Sequence, residues 1–244
     1  MALTEAVLLP LWEEGERAGP LGREALLLAA AAPELAGDDR AELTVGQRNA
    51  ALLALHVRAF GERLDGLVHC PACDEALEVS LGEREVRALL AAEAAPGEDE
   101  LSVDGFELRF RPLTCADLEA ATGAADADGA RRVLLGRCVL AAHRDGRRFD
   151  PEALPGDVVA LLADRLAALD PQAEISLAVS CPECEHEWRA LLDAASFLWS
   201  RVSLAARRLL EEVHVLASTY GWSEAEVLAL SRRRRRAYLE LALS

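Results

Sequence analysis

The segment Leu67–Leu81, LVHCPACDEALEVSL, places Cys70 and Cys73 two residues apart, and Leu177–Leu191, LAVSCPECEHEWRAL, repeats the spacing with Cys181 and Cys184. Two intervening residues let both sulfurs of a turn reach one ion about 2.3 Å away, and two such turns complete a tetrahedron. Each pair has proline after its first cysteine and strand-like apolar sequence on both sides. The pattern predicts a zinc ribbon in which Cys70, Cys73, Cys181 and Cys184 hold one structural Zn2+. A redox pair is the poorer reading, because neither copy sits in thioredoxin-like sequence. A hydrolytic zinc is disfavoured too, since four thiolates leave no position for water. His186 is an alternative ligand, with a plain polar strand residue as its default. Cys115 and Cys138 have no such partners and read as small buried hydrophobes.

The two pairs are far apart in the chain, so something must return the second to the first. An inserted unit does this if its ends lie close together. The expected organisation is an amino-terminal helical region over 1–63, a ribbon from 64–81 and 172–192, an inserted helix and hairpin region over 82–171, and carboxy-terminal helices over 193–244. The first region carries a helix broken near Pro20, then Thr44 ahead of VGQRNAALLALHVRAFG, whose apolar residues recur at helical spacing up to Gly61. The inserted unit opens with EREVRALLAAEAA and an acidic turn, PGEDE. A hairpin follows around Asp104-Gly105, then a helix capped by Thr114 and Asp117. Two more helices are expected, in GARRVLLGRCVLAAH and GDVVALLADRLAAL, joined by RDGRRFDPEALP.

From Leu198 to Ala217 one apolar stripe runs through Trp199, Val202, Leu209, Val213 and Leu216, and Gly221 is placed to stop that helix. Ser223 with Glu226 forms a capping box for the next helix, and Ser231 can cap a last one. His214, beside the stripe, is expected as a satisfied core histidine. The fold class is α+β, mostly α: a split four-Cys zinc ribbon with an inserted α/β region and a long carboxy-terminal helical hairpin.

With 52% hydrophobic residues in 244, the chain can bury a sizeable core. A net charge of −16 argues against broad contact with nucleic acid. The chain has no lysine, so its positive charge is arginine. No apolar run is long enough to span a bilayer, and the amino terminus has acids where a secretory leader is basic. These features place the protein in a reducing cytoplasm, where disulfides are disfavoured. No nucleophile elbow, phosphate-binding glycine loop or metalloprotease helix is present, so no enzymatic activity and no small-molecule substrate are expected. Arg232, Arg233, Arg234, Arg235 and Arg236 form a run with two readings: a solvated helix end, or a contact for an acidic partner or for the chain's own acidic surface. With Trp222 and Tyr238 they are the candidate partner-binding residues, since aromatic and arginine side chains dominate interfaces.

Taken in order, VGQRNAALLALHVRAFGERLDGLVHCPAC, FELRFRPLTCADLEAA, LAVSCPECEHEW and YGWSEAEVLALSRRRRRAYLELA cover most of the chain. This succession resembles the zinc-knuckle proteins encoded in baseplate clusters of contractile-tail bacteriophages and phage-derived contractile injection systems. These are described as baseplate proteins, or as hub assembly chaperones similar to those of T-even phages. The resemblance implies a structural or assembly protein that binds other baseplate, hub or tape-measure components, acting in the cytoplasm during assembly or within the particle's baseplate. The competing reading is a nucleic-acid-binding zinc-ribbon regulator, supported by the ribbon and the arginine run and opposed by the net charge.

Overall fold

The computed structural model describes residues 3–92 and 97–243, so the end of the EREVRALLAAEAA segment and Pro96 of the expected acidic turn lie outside the described residues. Helix α1 (Glu5–Ala31) bends where Gly19 takes φ 68°, ahead of Pro20. After short α2 (Gly37–Ala41) comes α3 (Val45–Phe60), opened by reciprocal capping between Thr44 and Gln47 and closed at Gly61. Strands β1 (Leu64–His69) and β2 (Ala76–Leu81) form the first knuckle hairpin, with Leu64 opposite Leu81 and His69 opposite Ala76. Helix α4 (Glu83–Ala91) follows and buries Val86 among the residues of the first core.

The middle of the chain is a four-stranded antiparallel sheet under helices. Strands β3 (Asp99–Val103) and β4 (Phe106–Phe110) join through Asp104 and Gly105, both with positive φ, the conformation a two-residue hairpin turn requires. Helices α5 (Cys115–Ala121) and α6 (Ala127–Cys138) come next. The helix expected in GARRVLLGRCVLAAH stops at Cys138, and its second half is strand β5 (Val139–Arg144), paired with β4. The reason is tertiary. Phe106, Leu108 and Phe110 are all buried on one face of β4, and β5 extends that face with Val139 and Ala142. A short apolar run fits either period, and the neighbouring strand decides. A second Asp-Gly turn, Asp145-Gly146, leads into β6 (Arg147–Arg148) within what the sequence suggested was a plain connector. Helix α7 (Gly156–Leu169) covers the sheet with Val158 and Leu162.

Strands β7 (Ser176–Ser180) and β8 (Glu187–Leu191) make the second knuckle hairpin. The chain ends in α8 (Ala194–Tyr220), α9 (Glu224–Ala229) and α10 (Arg232–Ala242). The apolar stripe of α8 packs on α1 and α3, burying Leu27, Leu52, Leu53, Leu55, Leu198 and Val202 in a first core. Gly15 lets the two helices close up: a Cβ there would sit 2.2 Å from the Trp199 ring. His214 is exposed, whereas His56 on α3 is fully buried between Phe60 and Phe197. Burial lowers the His56 pKa, which keeps the ring neutral.

The sheet unit has its own core and is tied to α3 by polar contacts. Val45 N–H donates to the Leu113 carbonyl and Cys115 N–H to the Leu43 carbonyl. Gly46 N–H donates to Asp170 at 2.8 Å, and Asn49 donates to the Gln172 carbonyl at 2.8 Å. Within the unit, Asp117 is fully buried and accepts from Arg111 at 2.6 Å, Arg137 at 2.7 Å and Thr114 N–H at 2.9 Å. Burial pushes its carboxyl up, but these donors outweigh it and hold the group at about 2.

Candidate metal centre

The two knuckles repeat one backbone device. In the first, Cys70 N–H donates to the Glu75 carbonyl and Asp74 N–H to the Cys70 carbonyl, each at 2.9 Å. In the second, Cys181 N–H donates to the His186 carbonyl and Glu185 N–H to the Cys181 carbonyl, again at 2.9 Å. Each turn closes through a left-handed residue directly after its second cysteine, Asp74 at φ 62° and Glu185 at φ 59°. That conformation crowds Cβ against the next carbonyl, yet both turns adopt it, because it turns the chain back so that the Cys70–Glu75 and Cys181–His186 hydrogen bonds can close.

The four sulfurs meet. Cys70 Sγ lies 3.6 Å from Cys184 Sγ and Cys73 Sγ 3.6 Å from Cys181 Sγ, and all four are within 4.8 Å of one another. A tetrahedron with arms of about 2.3 Å has edges of roughly 3.8 Å, so the set has the dimensions of a four-thiolate metal site. Cys70 and Cys181 are buried, while Cys73 and Cys184 sit at the exposed rim. All six cysteines are free thiols, and Cys115 and Cys138 lie elsewhere in the sheet unit, where burial raises both. His186 stacks on Trp188 at 5.9 Å and stands outside the sulfur cluster.

The thiols influence one another. Burial pushes Cys70 up, but the Ala72 and Cys73 backbone and the Cys184 and Cys73 thiols stabilise its thiolate and bring it down to about 7. For Cys73 the Glu75 backbone lowers the value, while Cys184, burial, Cys181 and Cys70 together raise it to about 12. Cys184 is raised despite the His186 backbone and Cys73, by burial and by Cys70 and Cys181. The first thiolate thus resists the others. All four sulfurs could ionise together at this spacing only with a cation among them.

The carboxy-terminal candidates do not gather into one exposed patch. Arg235 is 1% exposed and donates to Glu212 at 2.9 Å, to the Leu230 carbonyl at 3.0 Å and to Glu5. Its charge is thus met by the chain's own acids, the self-contact reading of the arginine run. Arg236 pairs with Glu240 at 3.2 Å on the open side of α10. Arg232, Arg233 and Arg234 are exposed. Trp222 and Tyr238 are half-buried and pack edge-to-face at 4.9 Å, with Tyr220 stacked on Trp222 at 4.7 Å. Trp222 and Tyr238 cover a small third core of Val213, Leu216 and Val227. Sequence reasoning did not single out Arg201 and Arg208 of α8, seven residues apart, which line one groove with Arg232. Their spacing along the polar side of the apolar stripe was the available signal.

Among the described residues no helix is long and apolar enough to cross a membrane. The family model described as T4 bacteriophage base plate protein matches residues 32–199, more than half of the chain, and the protein belongs to that family. The match takes in both knuckles, the sheet unit and the start of α8. No curated protein and no solved structure matches the chain.

Proposed function

We propose, with membership of the base plate family as the premise, that this chain is a structural or assembly protein of a contractile tail baseplate and performs no catalysis. Its helices would bind hub, baseplate or tape-measure components, and it would act either transiently, as a chaperone, or as a resident of the particle. The family match over 32–199 carries this reading. A structural Zn2+ is the cofactor the cysteine set fits, held by Cys70, Cys73, Cys181 and Cys184. The support is dimensional and chemical: four soft ligands at tetrahedral spacing, two of them buried, leave no site for substrate. Such an ion would join β1–β2 to β7–β8 and so hold together the two ends of the sheet unit's insertion.

The test is co-purification of the tagged chain expressed with the rest of its own gene cluster, with zinc quantified in the same sample. One zinc per chain together with tail proteins is the expected result, and intact particles carrying the chain would make it a component. Zinc-loaded protein with no tail partner would overturn the baseplate role and leave the metal site standing.

A further inference from the structure

One face of α8 borders a groove of about 330 Å³ whose walls come from the start of α1, the end of α3 and the first residue of α10. Its lining is mostly polar, with buried Leu8 and Leu209 and half-buried Phe60 beneath, and Leu204 stands 41% exposed in its course. Three arginines reach it: Arg201 and Arg208 from α8, and Arg232 from α10. Two carboxylates also line it, Glu5 and Glu212, but both are engaged by the buried guanidinium of Arg235 behind them. Among the described residues Arg201, Arg208 and Arg232 have no ion pair, although Arg201 lies over the Phe60 ring at 6.0 Å. In a chain of net charge −16, where acids outnumber bases by 42 to 26, this is an unusual concentration of unanswered positive charge.

The geometry points to this groove as the docking site for an acidic amphipathic helix of another tail protein, an assignment that rests on the baseplate reading for the source of its partner. Arg201 and Arg208 are two helical turns apart, about 10 Å along α8. A partner helix with carboxylates at positions i and i+7 can meet both, and an apolar residue between them falls on Leu204. Arg232 then fixes the partner's end near the start of α10. Arginine suits the task, because its planar fork binds carboxylates bidentately and its face accepts apolar packing. A second copy of this chain or a nucleic acid would also bring negative charge, so the experiment separates them.

The experiment places photoreactive p-benzoylphenylalanine at position 204 of the full-length chain, co-expressed with its gene cluster, and maps adducts by mass spectrometry. The expected adduct lies on a different protein, in a segment with acids seven residues apart around an apolar side chain. Arg208→Glu combined with Arg232→Glu should lower its yield at least fivefold, while Arg147→Glu, exposed on β6, should not change it. An adduct on this chain itself, on a basic segment or on nucleic acid overturns the assignment, as does a yield insensitive to the reversals. Tail proteins that co-purify without any adduct sink the groove and leave the baseplate role standing. If neither adduct nor tail proteins appear, both fall.

Discussion

The knuckle hairpins and the carboxy-terminal end of α8 are both small appendages on the helical core, held in place by different physics. Strands β1, β2, β7 and β8 bury almost nothing of their own: beyond Leu64 and Ala190, their residues are half-buried or exposed. Two isolated two-stranded hairpins are marginal in water; Leu64 and Leu81 anchor one to the first core, and on the proposed metal reading an ion at the point where the four sulfurs converge supplies the rest. Helices α9 and α10 have no such point. They are fixed by capping at Ser223 and Ser231, by the left-handed stop at Gly221, by the aromatic cluster and by the buried Arg235. On that reading a single centre does in one place what many ordinary contacts do in the other.

The largest effect is expected from the centre. Cys73→Ser with Cys184→Ser removes two rim thiols and little packing, since both side chains are exposed. Metal content should fall to zero, and the loss of stability should reach up to about 10 kcal/mol, the scale of structural zinc. Hydrogen exchange should show the β1–β2 and β7–β8 amides losing protection while those of β4 and β5 keep theirs. Hairpins that stay protected after metal removal would mean that packing, not the ion, holds them.

Breaking the other region should cost less and stay local. Arg235→Met leaves Glu5 and Glu212 without their cation; both are about a third exposed, so solvent screens them and the cost should be about 1 to 3 kcal/mol, below that of a fully buried pair. Protection should drop across α9 and α10, with zinc content unchanged. A variant that lost metal as well would show the two regions to be one cooperative unit.

The smallest change compares the two knuckles with each other. Glu185→Gly relieves a left-handed backbone and should raise the unfolding free energy by about 1 kcal/mol, read from denaturant titration. Asp74→Gly should gain less, since aspartate visits that region more readily than glutamate. Equal gains, or a loss at Glu185, would show that the side chains stabilise the turns in a way the backbone argument omits.

Local signals were enough to read much of this molecule. The Cys-Pro-x-Cys pairs, the Thr44, Ser223 and Ser231 caps, the Asp104-Gly105 turn and the stripe of α8 are all written in short spacings, because each depends on neighbours within a turn or two. Membership of the pair Cys70–Cys73 with the pair Cys181–Cys184 followed from ligand chemistry, which needs four thiolates wherever they lie in the chain. Tertiary structure decided the rest. Val139–Arg144 became a strand because β4 had an apolar face to extend, and the period of so short a run is ambiguous. Arg235 turned inward because Glu5, at the opposite end of the sequence, lies beside Glu212 once α1 packs on α8. The same packing brought Arg201, Arg208 and Arg232 to one groove whose two carboxylates, Glu5 and Glu212, are already engaged by Arg235. A side chain's charge is a property of its residue, but whether that charge is answered depends on which distant elements the fold sets beside it.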